Sequence, residues 1–192
     1  METVVQRLNR FNKMAPPMIR QNTPLIDWLT DAGFFSAPAD KKAYGYEGGL
    51  FDYSVRAVEI LFQFTSGMDL DWDRPESPFI IGMFHALHKM DELKEVVDKP
   101  GKTMFGEDFE RGRESHYERN RKTLLSGAGD KSIMLLTQFM TLSPEEVFCI
   151  RYYNGGGKDY RRAAKMFVRL PLVRAAAEMA SLKERCVKNE TD

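Results

Sequence analysis

The sequence predicts an all-α fold, a helical bundle with at most one small β-hairpin, as a single domain over residues 1–192. Two observations carry that prediction. Apolar residues recur at three- and four-residue spacing along most of the chain, while strict alternation is almost absent. Residues that cap helices well, several followed by proline, stand in front of these periodic segments. An apolar content of 43% over this length supplies one substantial core.

Val4, Val5, Leu8 and Phe11 share one face and predict a first amphipathic helix. Pro16 and Pro17 should stop it, because proline lacks the amide that a helix interior needs. Thr23 followed by Pro24 reads as an N-cap with proline in the first turn, opening a second helix that ends near Gly33. These N-terminal helices, residues 2–33, are expected to pack on a core of about residues 43–181. Phe34 to Gly49 has no clear period and reads as a loop. A third helix is expected from about Leu50 to Thr65, with Val55, Val58, Leu61 and Phe62 as its buried stripe. Ser77 and Pro78 supply the cap and first turn of a fourth, Phe79 to Met90. Its Ile80, Ile81, Phe84 and Leu87 leave it apolar around most of its circumference, which places it centrally.

The run VVDKPGKTMF after Glu95 has two short apolar stretches around Lys99, Pro100 and Gly101, the pattern of a small hairpin. Gly106 to Lys122 mixes charges of both signs and reads as a solvated helix or loop. Helical spacing returns over Lys131 to Met140. Ser143, with Glu146 three residues on, forms a capping box for a helix through Val147, Cys149 and Ile150 that stops at Gly155 to Gly157. Tyr160 to Phe167 and Leu172 to Val187 complete the set, separated at Pro171, and Asn189 to Asp192 reads as a frayed end.

The 28 basic and 28 acidic side chains cancel, so no global field favours nucleic acid or an anionic membrane, and neither is an expected partner. One local asymmetry stands out: Lys158 to Lys188 holds nine basic residues against three acidic ones. It is either a solvated helix face or a surface that attracts phosphate or an acidic partner. Cys149 and Cys186 lie in neither a CxxC nor a zinc-finger spacing, which suits a reducing, cytoplasmic setting. Met1 to Lys13 lacks the apolar centre of a signal peptide, and no run of about 18 apolar residues occurs. No Walker A, GxGxxG or GxSxG run is present, and the glycines at 155–157 lack the Lys-Ser/Thr of a phosphate loop.

Five blocks carry a resemblance. They are YEGGLFDYS (Tyr46 to Ser54), RPESPFIIGMFHALHKMDE (Arg74 to Glu92), GAGDKS (Gly127 to Ser132), LTQFMTLSPEEVFCIRYYNG (Leu136 to Gly155) and AAAEMAS (Ala175 to Ser181). In this order they resemble the core of the HD-domain metal-dependent phosphohydrolases of bacterial and phage type. The resemblance implies one or two divalent metals between helices, held by a His, an adjacent His-Asp pair and a later Asp. Such ligands suit a cation that polarises a phosphate and activates water.

Against that implied set the departures are systematic. Tyr53 stands at the His of GGLxxHS, and His85-Ala86 at the His-Asp pair. Tyr44, Ala128 and Tyr153 stand where related sequences tend to carry His, and Glu178 where the late Asp is expected. Tyrosine is a poor ligand for most divalent ions and alanine is none, so no metal and no cofactor is expected. Lys89 falls at the lysine of HDxxK and retains the ability to hold a phosphate; His85 and His88 lie three apart on one expected helix.

Two readings of the pocket follow. In the favoured one, Tyr44, Tyr53 and Tyr153 fill the former metal space with their rings and His88 is a buried, hydrogen-bonded residue. In the other, an open cavity lined by tyrosine hydroxyls, Lys89 and Arg151 binds a nucleotide-like anion without cleaving it. The leading functional expectation is a catalytically inactive protein that binds a protein partner or a phosphorylated small ligand. The alternatives are a phosphohydrolase with a rearranged site built on His85, His88 and Glu178, and a helical homodimer that acts through interaction.

Overall fold

The computed structural model describes residues 2–41, 43–97, 101–102, 108–109, 115–123 and 127–189. Nine α-helices are found among them: α1 (Val4–Met14), α2 (Pro17–Arg20), α3 (Thr23–Asp31), α4 (Gly49–Gly67), α5 (Ser77–Phe84), α6 (Ala128–Leu136), α7 (Pro144–Arg151), α8 (Gly157–Met166) and α9 (Leu170–Asn189). A 3-10 turn spans Leu87–Asp91, and four short strands follow: β1 (Leu93–Val97), β2 (Gly101–Lys102), β3 (Asp108–Phe109) and β4 (Ser115–Arg119). The all-α class with one small antiparallel excursion is therefore correct. Among the described residues, no helix is long and apolar enough to cross a membrane.

The N-terminal helices begin where side chains can satisfy their free amides. Thr3 and Gln6 form a reciprocal capping box at α1. Pro17 does not merely end the first helix; it opens the extra turn α2, since its fixed φ suits a first helical position. The cap of α3 is Asn22, whose side chain accepts from the Leu25 amide, rather than Thr23. Phe11, Ile19, Leu25 and Leu29 from these helices join one continuous cluster with Phe34, Phe35, Phe51, Phe79 and Phe84.

Residues 32–41 and 43–48 do form a loop, but a largely buried one. Buried backbone needs partners, and Arg7 supplies them. Its guanidinium, itself buried, donates to the carbonyls of Phe35 (3.0 Å) and Glu47 (2.7 Å). Gly48 makes this possible: φ is +83°, and a Cβ there would lie 2.1 Å from the guanidinium carbon.

At the centre, α4 packs against α5 and α9. Val55, Val58 and Leu61 are buried as expected, but Phe62 is 42% exposed. Gly82 lets α5 approach closely, since a Cβ there would meet the Val58 backbone at 2.9 Å. All eight residues of α5 are buried. The expected single helix from Phe79 to Met90 is corrected, however: the α-helix ends at Phe84, and His85 and Ala86 form a break before the 3-10 turn. The N-cap of α5 is Glu76, without a side-chain hydrogen bond, because Ser77 turns its hydroxyl to Glu146 instead.

The antiparallel arm is longer and later than expected. Leu93–Val97 pairs with Ser115–Arg119, and nested inside it Gly101–Lys102 pairs with Asp108–Phe109. Gly101 therefore lies in a strand and not in the turn; Lys99 and Pro100 lie outside the described residues. The charged stretch, expected as solvated helix or loop, contributes β3 and β4 because its charges suit cross-strand pairing. Lys94 stands directly across from Glu118. Most of the frayed end, residues 190–192, lies outside the described residues, and Pro171 sits in the first turn of α9 rather than before it.

Ser143 and Glu146 make the expected capping box at α7. Glu146 also accepts from Arg74 (Nε, 2.8 Å) and Ser77 (Oγ, 2.8 Å), so this fully buried carboxylate ties α7 to the segment that opens α5.

Candidate functional site

Six segments converge on the predicted pocket. The helix α4 carries Tyr53, the break after α5 carries His85, the 3-10 turn carries His88 and Lys89, and α6 carries Ser132. Tyr153 follows the end of α7, and Ala177 and Glu178 come from α9. The break after Phe84 aims the two histidines differently, so each finds its own tyrosine instead of sharing a helix face.

His85 is buried, and its Nδ1 lies 2.9 Å from the Gly82 carbonyl. A carbonyl only accepts, so Nδ1 carries the proton and Nε2 is a lone pair. The Tyr53 hydroxyl donates to that lone pair at 3.2 Å, with the Ala177 carbonyl a weaker claimant at 3.4 Å. A second chain of the same kind surrounds His88. Ser132 Oγ donates to the His85 carbonyl (2.9 Å) and accepts from the His88 amide (3.1 Å). The same oxygen lies 3.2 Å from His88 Nδ1, which therefore donates to it, leaving Nε2 to accept from the Tyr153 hydroxyl at 3.3 Å.

Burial sets the charge states. Desolvation is the main cause lowering His85 to about 4, and it lowers His88 to about 3 with help from the Lys89 charge. The Glu92 carboxylate, 3.5 Å from His88 Nε2, is too exposed to reverse this. Burial likewise pushes the Tyr53 and Tyr153 hydroxyls well above the ordinary phenol value, so both remain protonated donors.

The rings pack as well as bond. Tyr53 lies 5.3 Å from His85 and Tyr153 4.6 Å from it, with Tyr44 edge-on to Tyr53 at 5.4 Å. Tyr44 is buried, and its hydroxyl donates to the Ala180 carbonyl at 2.9 Å. In front of Tyr53, His88 and Tyr153 a cavity of about 420 Å³ remains, bordered also by Lys89, Glu92 and Glu178. The rings are thus buried while an opening persists before them, so features of both sequence readings coexist.

Of the eight predicted residues, five line this cavity: Tyr53, His88, Lys89, Tyr153 and Glu178. His85 lies beneath it. Tyr44 instead borders a second cavity with Arg10 and Asp52. Arg151 is not among the lining residues; it is exposed, bonded to Asp130 at 3.0 Å and stacked over Tyr152. Lys89 does line the cavity, but its Nζ donates to the Ala39 carbonyl at 2.9 Å. Sequence reasoning missed Ser132, which organises His88, and the lining residues Asp40, Glu92 and Asn154. Glu92 had a signal, four residues beyond His88; Ser132 and Asp40 come from distant segments and had none.

The metal centre implied by the resemblance does not fit these residues. Both ring nitrogens of His85 and of His88 are engaged by protein atoms. Among the described residues, no group of three or more His, Cys, Asp or Glu side chains is placed to hold a metal ion. Comparison of the chain with protein-family models, curated proteins and solved structures finds no match.

Proposed function

We propose that this chain is a catalytically inactive, HD-like protein that works by binding. One observation carries the reading: the two imidazoles present at the pocket, His85 of the implied ligand set and His88 of the rearranged alternative, are each capped by a tyrosine hydroxyl, at 3.2 and 3.3 Å. A ligand-ready imidazole needs a free lone pair, and these lone pairs are spent inside the protein. Between a protein partner and a phosphorylated small ligand, the cavity's charge favours the protein. Asp40, Glu92 and Glu178 line it with Lys89 as the one Lys or Arg among the lining residues, and although Arg174 pairs with Glu178, the acidic excess disfavours a polyanion.

The test is elemental analysis of the purified chain, followed by manganese and nickel titration and calorimetry with a nucleoside diphosphate. Wild type is expected to retain no stoichiometric metal and to give no heat with the nucleotide. The Tyr53→His plus Ala86→Asp variant, which restores two donors, serves as the metal-binding control. Stoichiometric metal in the wild type, with chelator-sensitive phosphate release, would overturn the reading in favour of a rearranged phosphohydrolase.

A further inference from the structure

At about 100° per residue, Lys158, Arg161, Arg162 and Lys165 fall on one face of α8. Tyr160, Ala163 and Ala164 fall on the other face and are buried or partly buried. All four cations are exposed, and none pairs with a carboxylate among the described residues. Arg74, Arg151, Arg169 and Arg174 each have such a partner. The stripe is therefore an uncompensated charge, with Asp159 the one acidic residue on its helix.

Its complement lies next to it. The segment between α4 and α5 exposes Asp69, Asp71 and Asp73, none of them ion-paired among the described residues. Arg169, just beyond the end of α8, lies 5.8 Å over the Trp72 ring and bonds Glu145 at 2.9 Å. The other Glu145 oxygen accepts from the Asp73 amide at 3.1 Å. Through Arg169, the turn that follows α8 thus touches the acidic segment at Trp72. Three exposed apolar side chains belong to the same two segments: Met68 (57%), Met166 (72%) and Val168 (68%).

We propose that this face docks a second copy of the chain, the α8 stripe of one copy meeting residues 69–73 of the other, and reciprocally. Opposite charges carried by two neighbouring segments of one chain are self-complementary under a two-fold rotation, so the contact between stripe and carboxylate cluster would occur twice in the dimer, once for each stripe. Methionine and arginine, which both segments or their flanks expose, are enriched at protein interfaces. A nucleic acid would gain from the stripe but would be repelled by the carboxylates beside it and would leave Met166 and Val168 unused. The inference does not rest on the reading of the tyrosine-capped pocket.

Sedimentation equilibrium of the full chain, at low and at high salt, tests it. Wild type is expected to dimerise, and more weakly at high salt because the charges are screened. Arg161→Glu with Arg162→Glu should weaken self-association by roughly tenfold or more, and Asp69→Lys with Asp71→Lys should do the same. Mixing the two variants should restore a dimer, because each altered stripe then faces an altered segment of the other sign. Circular dichroism verifies that both variants are folded. A wild type that stays monomeric overturns the proposal, and a shift by duplex DNA would then assign the stripe to nucleic acid. Folded variants that fail to dimerise when mixed overturn it equally.

Discussion

Tyr53 and Tyr153 do with hydroxyls what a metal would do with coordination: each satisfies the ring nitrogen left open once the Gly82 carbonyl, for His85, and the Ser132 hydroxyl, for His88, have taken the other. This makes the tyrosines structurally necessary rather than passive fillers. In Tyr53→Phe the His85 Nε2 lone pair loses its donor while remaining buried, which should destabilise the protein by about 1–3 kcal/mol. Urea unfolding measures this directly. A loss below about 0.5 kcal/mol would mean that water reaches Nε2 from the cavity and replaces the hydroxyl. The sequence singled out Tyr53 and Tyr153 as pocket residues only through the resemblance of the blocks around them. It could not pair each tyrosine with its own histidine, since that depends on the break at His85 and Ala86.

That break is also where element-level reading ran out. Ser77 to Phe84 is so uniformly apolar that nothing in its period marks an end, and the stop is set by tertiary packing. A boundary set by specific chemistry was legible where the Ser143–Glu146 box opens α7 as expected, whereas Pro17 and Pro171, expected as stops, each sit in the first turn of a helix. The arm of β1 to β4 was legible only in part, because β1 pairs with a strand about twenty residues away and alternation is weak in β1, where none of the five residues is buried. Glu146 shows how a local cap acquires a long-range role. Its carboxylate serves the Ser143 amide, Ser77 and Arg74 together, across 72 residues of sequence. In Glu146→Ala, Arg74 and Ser77 lose their acceptor and the cap is halved. Breaking a buried pair costs about 3–5 kcal/mol; with Arg74 still partly exposed, roughly 2–4 kcal/mol is expected. Glu146→Gln, which keeps the shape and one acceptor, should cost less. Equal losses for the two variants, read from chemical denaturation, would show that shape rather than charge holds α7 to α5.

At the scale of the molecule, the two neutral imidazoles couple folding to pH. Both sit in the core between α4, α6 and α9, and both have folded values below the free value of 6.5: about 4 for His85 and about 3 for His88, each chiefly from desolvation. The unfolded chain binds protons at these positions near pH 6.5, whereas the folded chain does not until much lower pH. Between about pH 6.5 and 4 the unfolded state therefore carries more protons, and stability falls as pH falls. Each histidine contributes at most about 1.4 kcal/mol per pH unit, and its contribution is complete above pH 6.5. Asp52 acts in the opposite sense near its own titration, since burial raises it above 3.8, but one half-exposed carboxylate does not offset two buried imidazoles. Urea midpoints at pH 7.5, 6 and 5 should fall stepwise, and a His85→Gln plus His88→Gln variant should show a shallower slope even if it is less stable throughout. A midpoint unchanged down to pH 5 would mean that the folded protein accepts these protons through the cavity, as an open, solvated site would. The same titration thus distinguishes a pocket closed by its tyrosines from one that water still enters.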